Sequence, residues 1–176
     1  MVFSISNDLI LKSLSKHDAA SLFTIISNER GSLREFLPFV DSLSRLEDME
    51  VVAAAAENNT DNPIFTIQYK GNTLGIVGFK DTDTANRRTE IGYWISAAGR
   101  GKGLVTQACH TLIKYAFEEL DVNRIQLKTA VSNLKSIAVA KRLGFTREGI
   151  EREGELLVSG FTDLYLYSLL KREAVG

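Results

Sequence analysis

The chain is short of several things that would direct function. Among its 176 residues there is one cysteine, Cys109. No intrachain disulfide can form, and no cysteine-rich zinc site can be built. Neither sign of charge is in excess: 21 Lys+Arg stand against 22 Asp+Glu, a formal charge of -1. That balance excludes a nucleic-acid partner held by bulk attraction to phosphate, and leaves only a local basic patch open. No run approaches the roughly 18 apolar residues of a membrane helix. Met1 to Asp8 lacks the charged start and apolar stretch of a signal peptide, so a cytoplasmic place with no membrane partner is expected. No Pro-, Gly- or Ser-rich linker and no internal repeat interrupts the chain.

What remains is ordinary globular material, 44% apolar and 24% charged, which excludes disorder. The length suits one domain over residues 1–176. Leu9 to Leu14 reads as a strand, and Ser15-x-x-Asp18 caps a helix that Gly31 should end. Ser44 to Glu47 reads as a second capping box, ahead of a helix to about Asn58. The period then changes to two. Ile64–Tyr69 and Thr73–Lys80 form a hairpin, Asp81–Arg88 a polar loop, and Thr89–Ile95 another strand. A helix follows from Leu104, a strand from Arg124 to Val131, and a helix from Ser132 or Asn133 to Leu143. Two antiparallel strands close the chain. The order β-α-α-β-β-β-α-β-α-β-β predicts a mixed α/β fold.

The stretch most suited to chemistry joins Ile91–Ile95 to the helix at Leu104 through Gly99-Arg100-Gly101-Lys102-Gly103. Glycines let a ligand approach the backbone, and a helix start presents unpaired N–H groups with partial positive charge. The combination suits a pyrophosphate. It equally suits a solvated glycine turn. It is not a P-loop, because Gly103 rather than Ser or Thr follows Lys102. It is not the dinucleotide fingerprint, because Thr106 stands where the third glycine belongs.

Arg100-Gly101-Lys102-Gly103-Leu104-Val105 resembles the Gln/Arg-x-x-Gly-x-Gly/Ala pyrophosphate loop of the GNAT N-acetyltransferases, with Val105 in the last small position. Ile91 through Thr106 resembles the RimJ/RimL-type branch more closely. Arg34 to Val40 resembles that branch's aromatic acceptor-side segment. Asn133 to Phe145 resembles its Asn-x-x-Ser…Leu-Gly-Phe segment. The resemblance implies a GNAT fold: a twisted, mostly antiparallel sheet with one splayed parallel pair and flanking helices. It implies acetyl-CoA as co-substrate, with no metal. Ile95, Ser96 and Ala97 would pair with the pantetheine arm. Arg100, Gly101, Lys102, Gly103, Leu104, Val105 and Thr106 would hold the pyrophosphate. Asn133 and Ser136 would contact the cofactor arm, with Ser136 near the sulfur; both residues also suit plain helix capping.

Acyl transfer to an amine needs a base, an oxyanion donor and stabilisation of the leaving thiolate. The resemblance assigns Ser136 to the thiolate and points to Glu155, 19 residues further on, as the base. Glu90, Glu148, Glu151 and Glu153 compete with it. Phe36, Phe39 and Trp94 are the acceptor-side candidates; Trp94 also suits plain packing. Cys109 reads as core filler. The acceptor expected is an amine, either a protein N-terminus, as on a ribosomal protein, or a small amine such as a polyamine or aminoglycoside. A silent acetyl-CoA-binding module is the non-enzymatic alternative. Homodimers are common in this branch.

Overall fold

The computed structural model describes residues 1–174. Eight strands follow the period-two segments: β1 (Val2–Ser4), β2 (Leu9–Ser13), β3 (Ile64–Tyr69), β4 (Asn72–Asp83), β5 (Arg88–Ile95), β6 (Arg124–Ala130), β7 (Thr146–Leu157) and β8 (Gly160–Leu170). They form one sheet in the order β1-β2-β3-β4-β5-β6-β8-β7. Alternation sorts their side chains onto two faces. Leu11, Phe65, Val77, Ile91, Ile125 and Leu127 pack on one face, against α3 (Leu104–Glu118) and α4 (Leu134–Arg142). Ile64, Ile76 and Trp94 pack on the other, with α1 (Ala19–Leu33) and α2 (Leu46–Glu57). A short α5 (Lys171–Ala174) follows β8.

All neighbouring strands are antiparallel except β5 and β6, which α3 connects as a crossover. Their parallel pairing covers Arg88↔Arg124, Thr89↔Ile125 and Glu90↔Gln126. Beyond Glu90, β6 stays paired to β8 as far as Ala130↔Leu164, while β5 leaves it. The result is the expected splay. The Ser96 amide donates to Leu74 O at 2.7 Å, so even-numbered residues of β5 bond towards β4. The backbone groups of Tyr93 and Ile95 therefore face the gap.

Several expectations shift. Gly31 does not end α1; it is exposed with open space around it, and burial of Leu33 carries the helix two residues further. The Arg30 guanidinium ties that last turn to Val40 O and Leu43 O. The second capping carboxylate is Asp48 rather than Glu47: it accepts from the amides of Ser44 and Arg45 at 3.1 and 2.8 Å. The polar loop is shorter than expected. Asp83 pairs with Arg88, and the Thr82 and Thr89 hydroxyls lie 2.7 Å apart, so β4 runs through a bulge to Asp83. Strand β1 and helix α5 were not expected; three and four residues long, they are too short for periodicity to register.

Away from the gap, Arg124 donates to both Glu148 oxygens at 2.7 and 2.6 Å, and Ser168 Oγ donates to the same carboxylate at 2.7 Å. These bonds tie β6, β8 and β7. The Arg124 guanidinium first, and the Ser168 hydroxyl second, hold the Glu148 carboxyl down at about 2. A lowered carboxylate pKa stabilises the fold above the ordinary value of 4.5, and that contribution is lost as pH falls towards about 2. Thermal melts of Glu148→Gln should lose less stability across that window than wild type. The difference should be small, because the pair is partly exposed.

Candidate active site

A cavity of about 1390 Å³ opens where β5 and β6 part, and it reaches both faces of the sheet. On the α3 face it is lined by Arg100, Gly101, Gly103, Leu104, Val105 and Thr106. Gly101 and Gly103 have φ of 74° and 72°, the left-handed region that side chains disfavour. A Cβ on Gly101 would meet nothing within 4 Å, and one on Gly103 only Gln107 Nε2 at 3.7 Å. The space beside the loop is thus open, and the first-turn amides of α3 border it without a side-chain cap from Gly103. Lys102 does not line the cavity; its Nζ turns back to Ala98 O at 2.7 Å. The cation that joins Arg100 there is Arg142, from the last turn of α4, which donates to Thr106 Oγ1 at 3.1 Å. Sequence reasoning missed Arg142, because that contact crosses between two helices.

Of the three residues expected along a pantetheine arm, Ile95 lines the gap. Ser96 is buried, with its amide committed to Leu74 O and its hydroxyl without a hydrogen-bond partner. The Ala97 amide donates to Glu29 Oε2 at 2.8 Å. Across the gap, Asn133 Oδ1 accepts from the Ser136 amide at 3.2 Å, a helix cap that fixes the start of α4. The Ser136 hydroxyl lies 2.7 Å from Tyr93 OH. Tyr93 was not singled out in the sequence. Burial raises its phenol well above the usual range, and the neighbouring Cys109 adds to the effect.

On the α1 face stand Phe36, Phe39, Trp94 and a set of carboxylates. Trp94 is buried among α1 and α2 side chains while bordering the cavity, and its Nε1 has no hydrogen-bond partner. Phe36 packs on Ala130, Leu157 and Leu164, joining the segment after α1 to the β7–β8 hairpin. Phe39 is 43% exposed. Among the glutamates, Glu90 is buried and paired with Lys80 at 2.9 Å, and Glu151 with Lys128 at 2.7 Å. Glu148 is held by Arg124, and Glu153 is exposed outside the cavity lining. Glu155 lines the cavity, is half-buried, and makes no hydrogen bond or ion pair through its carboxylate among the described residues. A register shift between Glu151 and Glu155, with Glu153 at φ 51°, bends β7 there. Burial pushes the Glu155 carboxyl above the usual carboxylate range; Lys80 pulls it down and Glu90 pushes it up.

Among the described residues no cluster of three or more His, Cys, Asp and Glu could hold a metal. No helix among them is long and apolar enough to cross a membrane. Cys109 is fully buried, and burial raises its thiol, which removes it as a nucleophile.

Known proteins are similar to this chain in sequence and in fold. The chain is 50% identical over 109 residues to a putative ribosomal N-acetyltransferase, YdaF, of Bacillus subtilis, covering 61% of this chain and 59% of that protein. It is 32% identical to the uncharacterized N-acetyltransferase p20 of Bacillus licheniformis, over 96% of each chain. It is 25% identical to the ribosomal-protein-serine acetyltransferase of Escherichia coli, over 93% of each. A crystal structure of a probable acetyltransferase superposes with TM-score 0.93 at 34% identity, covering 98% of each chain. The self-immunity acetyltransferase MccE, solved with acetyl-CoA and AMP, gives 0.89 at 29% identity over 94% of each. Residues 8–146 match the acetyltransferase (GNAT) domain. A sheet split between β5 and β6, with a glycine loop leading into α3 on one side of the split, is thus the frame of an N-acetyltransferase, and this chain belongs to the GNAT family.

Proposed function

We propose that the protein is a single-domain enzyme that transfers acetyl from acetyl-CoA to a primary amine, with a protein N-terminal amine as acceptor. The observation that carries this reading is the cavity itself. It has an open glycine loop flanked by Arg100 and Arg142 on one face of the sheet, and an unpaired, half-buried carboxylate, Glu155, on the other. The loop fits a pyrophosphate because Gly101 and Gly103 leave its concave side free of Cβ atoms. Arg100 and Arg142 add charge; Asn133 and Ser136 lie further along the gap. The outward-facing amide of Ile95 offers one strand-like bond to an extended arm and stands where an acyl oxygen could be polarised.

In this reading Glu155 accepts the ammonium proton from one face while Ser136 hydrogen-bonds the departing thiolate from the other. Burial raises its pKa, the direction that makes a carboxylate a stronger base. Phe36, Phe39 and Trp94 shape the entrance for the acceptor. The likeness to proteins named as ribosomal acetyltransferases supports a protein N-terminus. The carboxylates Asp81, Glu90, Glu151 and Glu155 at the cavity, against Lys80 and Lys128, favour a small polycationic amine as the second reading. A cytosolic place and a homodimer complete the proposal.

Mass-spectrometric screening of N-terminal peptides and polyamines for acetylation, with thiol release followed in parallel, decides among these. Acetylated peptides without acetylated polyamines are expected. Polyamine acetylation alone would select the second reading. Saturable donor binding without thiol release would mark a silent module.

A further inference from the structure

Tyr93 comes from β5 and Ser136 from the first turn of α4, and their hydroxyl oxygens lie 2.7 Å apart at the wall of the cavity. Each hydroxyl carries one hydrogen and can also accept. Neither makes another side-chain hydrogen bond among the described residues, so the single bond between them uses one hydrogen and leaves one for a ligand in the gap. Either oxygen can donate the shared bond; when Tyr93 O–H donates it to Ser136 Oγ, the serine hydrogen is left for the ligand. Accepting that bond polarises the Ser136 O–H, and the Asn133 cap on the Ser136 amide fixes where it starts.

We infer that Tyr93 is a positioning residue: it holds Ser136 so that the serine hydrogen is presented to a thiolate sulfur lying between β5 and α4. The inference rests on the donor site proposed above. The titratable and charged groups facing the pair are Cys109 from α3 and Arg142 from α4. Cys109 is raised by burial and stays neutral in the working range. The ionisation of a bound thiol therefore reports on the hydroxyl pair.

The probe is coenzyme A, whose thiolate absorbs in the ultraviolet and can be titrated in the enzyme-bound state by difference against enzyme alone. Wild type should bind it with the thiol pKa below its free value. Tyr93→Phe should raise that pKa by about one pH unit, the scale of one hydrogen bond to a charged group. Ser136→Ala should raise it at least as far, and the double variant no further than Ser136→Ala alone. Ser136→Thr keeps a hydroxyl for Tyr93 and should titrate close to wild type. An unchanged titration in Tyr93→Phe, or additive rises in the double variant, overturns the inference alone. Should Tyr93→Phe not fold, a wild-type titration in Ser136→Ala overturns it as well. No saturable coenzyme A binding in wild type overturns the donor site, and the inference with it.

Discussion

Glu155→Gln should lower kcat/KM by about 10²–10⁴-fold, the usual scale for losing a general base. The substitution keeps the side chain's size and removes a carboxylate that has no partner to strand. Folding should not suffer. A carboxyl whose pKa is raised on folding favours the native state most when protonated, below its ordinary value of 4.5, and loses that contribution as pH rises. Glutamine carries no such dependence, so the variant should be no less stable than wild type at neutral pH. The acidic limb of the wild-type rate profile should lie above the ordinary carboxylate range and should vanish in the variant. Much of the lost rate should return at high pH, where the amine deprotonates without help. Donor affinity, measured by calorimetry, should stay the same, because Glu155 stands across the sheet from the glycine loop. A wild-type rate with its acidic limb in place would remove Glu155 from the mechanism and turn attention to Glu90, a buried carboxylate that also lines the cavity.

Gly103→Asp and Gly103→Asn form the second test. Gly103 has φ of 72°, so a large substitution such as Gly103→Glu would mix backbone strain with loss of binding. Asp and Asn tolerate the left-handed region better than other residues and have the same size. A Cβ at Gly103 would meet only Gln107 Nε2 at 3.7 Å, so both variants should fold. They differ in charge alone. A carboxylate beside a bound pyrophosphate costs about 2 kcal/mol at an effective dielectric of about 20. Donor affinity of Gly103→Asp should therefore fall about 10–100-fold below that of Gly103→Asn. Equal affinities would mean that the loop faces no anion.

The glycine-loop side of the cavity was legible in the sequence because it is nearly contiguous. The loop from Arg100 to Thr106, with Ile95 just before it, forms one strand–turn–helix joint whose glycines and helix start carry their own geometry. The splay was expected from the resemblance, and the register of β5 on β6 accounts for it. Arg142 and Tyr93 were not legible. Each matters through a neighbour far along the chain, Thr106 and Ser136 respectively, and neither residue type stands out at its position. The α1 face of the cavity was least legible. Phe36, Trp94 and Glu155 come from three distant segments, and whether a glutamate on β7 is paired or free depends on partners from β6 and β8. Gly31 misled because Leu33 has a buried place waiting for it, and burial outweighs a glycine in a helix.

The three-rung ladder between β5 and β6 also bears on how the chain assembles. Strands β1 to β5 each pair with the strand next in sequence, while β6 pairs with β8 across the intervening β7. The molecule is thus two blocks of antiparallel pairing, one of five strands and one of three, stitched along a seam of Arg88–Glu90 against Arg124–Gln126. The buried face of α3 packs against strands of both blocks and so bridges the seam. Loop closure over the crossover is costly and little ladder repays it, so docking of the two blocks is the expected late, slow event in folding. The same short seam lets the blocks lie apart beyond Glu90 without breaking any hydrogen bond that the native ladder makes. The cavity is therefore a place where the sheet was never joined.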